Sequence, residues 1–209
     1  MEAIQGHIKH FTGDITSEVV QEISVAGVVA WDIETSGLDW QTDRIGTCQL
    51  YTPDSLIAIV KLEDKVPSYL RALISEPSVK KIFHHAMFDL RFMSHAWNVR
   101  PENIACTRIA AKLITPNDPK QHGLKQLLHH YLDVEISKDE QKSDWLSAQL
   151  TESQIMYAAQ DVYYLPELLS HLERELDAAE LFELARGCFA HIPTRVSLDV
   201  MNYPDLFVY

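Results

Sequence analysis

Five side chains carry the chemistry open to this chain. Asp32 and Glu34 stand two apart in the stretch Val28-Val29-Ala30-Trp31-Asp32-Ile33-Glu34-Thr35-Ser36-Gly37-Leu38. Small and β-branched residues suit a buried strand, and residues two apart on a strand share a face. Two like charges on one buried face repel each other unless something positive lies between them, and a divalent metal ion is the natural counter-charge. Asp89 follows in Phe83-His84-His85-Ala86-Met87-Phe88-Asp89, in the first turns of a helix that opens after a strand. The helix dipole alone would favour an acid there. Tyr157 and Asp161 stand four apart in Tyr157-Ala158-Ala159-Gln160-Asp161, which puts a phenol and a carboxylate side by side on one helical face. Singly, each pattern also reads as a solvated acid or a half-buried tyrosine. Jointly they form a pattern of four acids and a tyrosine.

The elements that must position these groups follow from periodicity. Ile4–Phe11 reads as a first edge strand and Asp14–Ser24 as a short helix capped by Asp14 or Thr16. Val28–Glu34 is the central strand, and Ile45–Tyr51 and Leu56–Val60 form a hairpin about a Pro53-Asp54 turn. Tyr69–Ser75 reads as helix and Val79–Phe83 as strand. From residue 84 the period becomes helical, over Ala86–Trp97, Ile104–Ile114, Leu124–Leu132, Thr151–Tyr164 and Pro166–Ala179. Strands first and helices later predict an α/β domain, a small mixed sheet with helices packed around it. Phe189–Tyr209 is rich in large apolar residues without helical period, so it should dock on its own domain or meet another subunit.

Asp-x-Glu at a strand end, His-x-x-x-x-Asp at a strand–helix junction and Tyr-x-x-x-Asp on a late helix, in this order, resemble the DEDDy branch of the DnaQ-like 3′–5′ exonucleases. Gln141-Lys142-Ser143-Asp144-Trp145 and the run from Tyr157 to Leu165 are similar to ribonuclease D. The single-domain length resembles more closely the nano-RNase C group, as do His122-Gly123-Leu124-Lys125, Ile136 through Trp145, and Cys188-Phe189 to Asp199. The resemblance implies a ribonuclease H-like fold over a single exonuclease domain, 1–209. It implies hydrolysis of short RNA, down to dinucleotides, to nucleoside 5′-monophosphates with two divalent cations, Mg²⁺ or Mn²⁺. Asp32, Glu34 and Asp161 would hold one ion, and Asp32 would bridge to a second that Asp89 holds mostly through water. Tyr157 would position the attacking water, since a free phenol with a pKa of about 10 is a poor base. Thr35, Leu38, His84, Gln141, Ser143 and Trp145 would meet the substrate. Leu38 would wedge between bases, although it reads equally as core, and core is the rival reading of Trp145; Lys138 and Lys142 would meet phosphates or simply be solvated.

Composition bounds the partners. The formal net charge of the 209 residues is −12, which is wrong for gripping long nucleic acid. Residues 80–142, with 10 basic and 7 acidic side chains, are the exception at +3. A ring of subunits lining a basic channel with that middle third would relax the objection, and the resemblance implies a homo-oligomer, a dimer or larger. Three scattered cysteines, no signal peptide and no apolar run long enough to span a bilayer predict a cytoplasmic protein with no membrane partner. His84-His85 and His129-His130 are not spaced to chelate one ion, which argues against zinc. The rival readings are a DNA exonuclease or one acting on longer structured RNA, and a catalytically silent nucleic-acid-binding module.

Overall fold

The structure, a computed structural model, describes residues 2–53, 56–137, 139–206 and 208. Its strands are β1 (Ile8–Thr12), β2 (Val28–Thr35), β3 (Ile45–Tyr51), β4 (Ile57–Lys61), β5 (Lys80–Phe83) and β6 (Ile104–Cys106). They form one mixed sheet in the order β1-β4-β3-β2-β5-β6. β3 runs antiparallel to both β2 and β4, and the other neighbours are parallel. The helices are α1 (Glu2–Gln5), α2 (Ser17–Ala26), α3 (Ser68–Ile74), α4 (Ala86–Trp97), α5 (Thr107–Ile114), α6 (Leu124–Leu132), α7 (Glu152–Tyr163), α8 (Leu165–Ala178) and α9 (Phe182–Val200). This is the ribonuclease H-like arrangement, a mixed sheet flanked by helices.

β2 lies inside the sheet because its residues are the ones that lose most by meeting water. Val29, Ala30 and Trp31 are completely buried, and Trp31 stacks on Phe83 and leans on Trp97 with ring centroids 6.3 and 6.5 Å away. Side chains of this size dominate core energetics, each contributing about 2–3 kcal/mol on burial. The β2–β3 register slips between Glu34 and Thr35: Glu34 faces Thr47 while Thr35 faces Ile45. Gly46 is the extra residue of this β-bulge, a device that bends a strand end where side chains must be re-aimed. α7 packs across β2, β3 and β4, and α8 across β5 and β2. α7 starts with a capping box, Thr151 accepting from Gln154 N while the Gln154 side chain accepts from Thr151 N.

Several elements differ from expectation, each for a physical reason. Ile104–Cys106 is a strand pairing with Lys81–Phe83, and only Thr107–Ile114 is helical. Three buried apolar residues are too few to betray a period of two. The apolar stretch after Phe189 is mostly helix: α9 runs to Val200 straight through Pro193. Phe189, Ile192, Pro193 and Val196 are buried, and α9 packs on α4, α5 and β6. That docking accounts for residues 189–200. Met201, Tyr203, Leu206 and Val208 stay exposed, while Phe207 and Tyr209 lie outside the described residues. Asp14 caps a helix, but not α2. Its carboxylate accepts from Tyr69 N and Leu70 N, at 2.7 and 3.1 Å, in the first turn of α3. The edge strand begins at Ile8, after a short helix at Glu2–Gln5. Of the predicted hairpin turn, Asp54 lies outside the described residues. Among the described residues no helix is long and apolar enough to cross a membrane.

Candidate active site

The four acids and the tyrosine converge where β2, α4 and α7 meet. Asp32, Glu34 and Asp161 each offer a carboxylate oxygen within 4.8 Å of the others, the one such group of potential metal ligands among the described residues. Alternation along β2 aims Asp32 and Glu34 at a common space, and the last turn of α7 brings Asp161 to them. Asp32 faces Gln49 across the β2–β3 ladder, and Gln49 Nε2 donates to Asp32 Oδ2 at 2.7 Å. Asp89 is almost fully buried in the first turn of α4. Its Oδ1 accepts the main-chain N–H of Ile33 at 3.3 Å, so β2 itself orients the fourth acid. Asp89 Oδ2 is buried with no hydrogen-bond partner among the described residues. Tyr157 shares a face of α7 with Asp161, to which it hydrogen-bonds.

Burial and mutual repulsion raise Asp32, Glu34 and Asp89 above the ordinary carboxylate range. Burial, partly offset by the Gln49 hydrogen bond, pushes Asp32 up to about 7. Burial and then the charges of Asp32, Asp161 and Asp89 push Glu34 up to about 10. Asp89 is raised well above the ordinary carboxylate range by burial and Asp32. Tyr157 is raised by burial and the surrounding carboxylates, so its phenol stays protonated and donates. Crowded, dehydrated carboxylates with a spare buried oxygen are an unbalanced site, and hard divalent cations, which take oxygen ligands, fit it. The donor set suits the Mg²⁺ class, with no nitrogen or sulfur ligand of the kind zinc prefers.

The acids form one end of a cleft of about 760 Å³. Thr35, Leu38, His84, Gln141 and Ser143 line it, as does Lys142. Leu38 is 83% exposed, so it is not core. Its loop is held from within: Thr35 Oγ1 donates to Gly37 O at 2.5 Å, and Asp43 accepts from Asp39 N at 2.9 Å. His84 Nδ1 lies 2.9 Å from Thr107 Oγ1, and the Ser143 hydroxyl donates to Glu140. Trp145 does not line the cleft. It is 1% exposed and packs against Tyr157, ring centroids 5.9 Å apart, so it supports the site from behind. Lys138 lies outside the described residues. Gln49, Arg108 and His85 are among the lining or supporting residues that escaped the sequence reading. Gln49 is, with Thr47, one of two buried polar residues in a mostly apolar strand. Arg108 and His85 carried no signal beyond their types, and His85 is pushed down to about 4 by burial and by Arg108, Lys112 and Arg91.

A carboxylate cluster shared by the central strand and a late helix of a mixed sheet is the site of a 3′–5′ exonuclease, and the chain belongs to that family: residues 10–177 match the family described as 3′-5′ exonuclease. Within it, the chain falls in the DEDDy, ribonuclease D-like branch. It is 30% identical over 174 residues to ribonuclease D of Musicola paradisiaca, covering 83% of this chain and 46% of that protein. The chain thus spans about half the length of the curated relatives it matches. Brucella melitensis NrnC superposes with a TM-score of 0.89 at 35% identity over 98% of this chain and 99% of that one. Structures of that Brucella protein exist bound to pGG and with bound Mg²⁺. Escherichia coli RNase D, at 24% identity and a TM-score of 0.78 over 90% of this chain and 50% of that one, shares the fold.

Proposed function

We propose that this chain is a single-domain 3′–5′ exoribonuclease that removes nucleotides from very short RNA, dinucleotides included, with two divalent cations. The observation that carries the reading is the closure of Asp32, Glu34 and Asp161 to within 4.8 Å at one end of a bounded cleft. A cleft of this volume has the size of a small-molecule pocket rather than a duplex groove. The net charge of −12 likewise favours a substrate with few phosphates. The likeness to the Brucella protein, which binds pGG, supports the same substrate class.

Asp32, Glu34, Asp161 and Asp89 would hold the cations, Mg²⁺ or Mn²⁺, with Gln49 and the Ile33 N–H fixing the directions of Asp32 and Asp89. Such ions, when bound, acidify water and neutralise charge building on a phosphate. Tyr157, held in its protonated form, positions the attacking water by hydrogen bonding. Leu38 stacks on the terminal bases from the lip of the cleft, a contact that tolerates any sequence. Arg108 and Lys142 face the phosphates from the cleft wall, in keeping with the basic middle third. The exposed apolar residues after Val200 support assembly into a homo-oligomer, and the protein would work in the cytoplasm.

The test is a time course with Mg²⁺ or Mn²⁺ on 5′-labelled RNAs of about two, five and twenty nucleotides. A matched DNA and the Asp161→Ala protein run alongside. Rapid loss of the dinucleotide, with the longer RNAs lagging, is the expected result. Shortening of the long RNA or DNA that stalls at two nucleotides would replace this reading with a ribonuclease D-like or DNA-processing one. No cleavage at all would leave a binding module.

A further inference from the structure

Behind the cleft, the irregular segment between α6 and α7 is fastened to the sheet at one point. Lys61, the last residue of β4, is half-buried, and its ammonium donates to Trp145 O at 3.2 Å and also to Ser147 O. Beside it, Gly46 of the β3 bulge touches the same main chain. A Cβ at Gly46 would stand 2.3 Å from Trp145 O and 2.9 Å from Trp145 C. From the other side, Gln154 Nε2 donates to Asp144 O at 3.1 Å. The same Gln154 completes the capping box of α7, the helix that carries Tyr157. Gripped between these contacts, the Trp145 indole lies against the Tyr157 ring, planes inclined by 44°.

We infer that Lys61 is a positioning residue for Tyr157, acting through the main chain and indole of Trp145. The inference rests on the role given to Tyr157 above. Two carbonyls converging in a half-buried place need donors, and an ammonium offers three. An apolar side chain of equal length leaves both acceptors without their donor and removes the tie between β4 and residues 145–147. Trp145 then slackens against Tyr157, and a displacement of about 1 Å at a group that aligns a nucleophile costs up to about 10²-fold in rate. Because Lys61 is absent from the cleft lining, its loss leaves substrate binding alone.

The test is a double-mutant cycle on the Mg²⁺-loaded full chain with pGG as substrate, comparing wild type, Lys61→Met, Tyr157→Phe and the pair. Lys61→Met should lower kcat roughly 10- to 30-fold with KM within about twofold. In the Tyr157→Phe background the same change should lower kcat by less than about threefold, since the tyrosine it positions no longer has its hydroxyl. Lys61→Arg, which keeps the donors, should recover most of the loss. Equal losses in both backgrounds, a change confined to KM, or no loss overturns the inference. Tyr157→Phe at the wild-type rate refutes the role of the tyrosine itself. A slow Tyr157→Phe beside an unimpaired Lys61→Met refutes the clamp alone. If Lys61→Met does not fold, Gly46→Ala displaces the Trp145 carbonyl with Lys61 in place. It should give the same kcat-selective, non-additive loss, and unchanged kinetics there would overturn the inference.

Discussion

Replacing Glu34 by glutamine should make the metal-free protein more stable while destroying its activity. In the fold, Glu34 binds a proton up to about pH 10, against an ordinary value of 4.5. At a working pH of about 7.5 the unfolded chain has released that proton and the metal-free fold has taken it up. The gap of about three pH units, at about 1.36 kcal/mol each, sets an upper limit of about 4 kcal/mol on what Glu34 subtracts from stability. Glu34 opens onto the cleft, where water screens its neighbours' charges, and halving the figure leaves about 2 kcal/mol. Glutamine has the same shape and needs no proton, so it is spared this cost. For a chain of this length about 2 kcal/mol corresponds to a rise in Tm of roughly 4–8 °C. The assay is thermal melting in a chelator at about pH 7.5, repeated near pH 5, where the advantage should fade. Added Mg²⁺ should raise the Tm of the wild type and leave Glu34→Gln nearly unmoved. A variant that melts at or below the wild type in chelator would refute the electrostatic reading of the site.

The same physics predicts the pH response of the wild type. Asp32 and Glu34 are raised from 3.8 and 4.5 to about 7 and about 10, so between these values the folded state binds more protons than the unfolded one. Stability in chelator should therefore fall as pH rises from about 5 to about 9, and the Tm gained from Mg²⁺ should grow over that range. A flat profile in both conditions would contradict it. Asp32→Asn and Asp161→Ala should each lower cleavage by about 10³-fold or more with circular dichroism unchanged, and activity near wild type in either would remove the carboxylate-cage model. Leu38→Ala, at a side chain 83% exposed, should leave Tm within about 1 °C. It should raise KM for a dinucleotide roughly tenfold, and unchanged KM would dismiss the stacking role.

Much of the site was legible because its parts are local. Asp32 and Glu34 obey the two-residue period of a strand, and Tyr157 and Asp161 the four-residue neighbourhood of a helix, so each pair could be oriented from spacing alone. What escaped depends on contacts between distant segments. Gln49 meets Asp32 only through the β2–β3 register, and no spacing near Gln49 announces it. Asp14 read as a cap for the helix after it, yet it serves α3, more than fifty residues on. Trp145 read as a site residue by its company in Gln141-Lys142-Ser143-Asp144-Trp145, but its bulk is worth more buried, where it braces Tyr157. β6 is too short to show a period. α9 was obscured by Pro193, whose missing N–H ordinarily ends a helix, but here the ring is buried and the helix continues around it.

The loop that bears Leu38 is tied to a segment made long after it. Gln41 Nε2 donates to Asn202 Oδ1 at 2.9 Å, a bond between residues 161 apart in sequence. Trp40 borders the same crevice as Asp199, Asn202 and Tyr203, and Asp199 is itself bound by Arg91 and Arg195. A ribosome adding about 5–20 residues per second would need roughly 8–30 s between making Gln41 and making its partner. During that interval the loop has only its internal bonds, and for most of it Asp161 has not been synthesised, so the acids of β2 lack their third member. A nascent chain that stops short of Asp161 therefore lacks a complete carboxylate cluster.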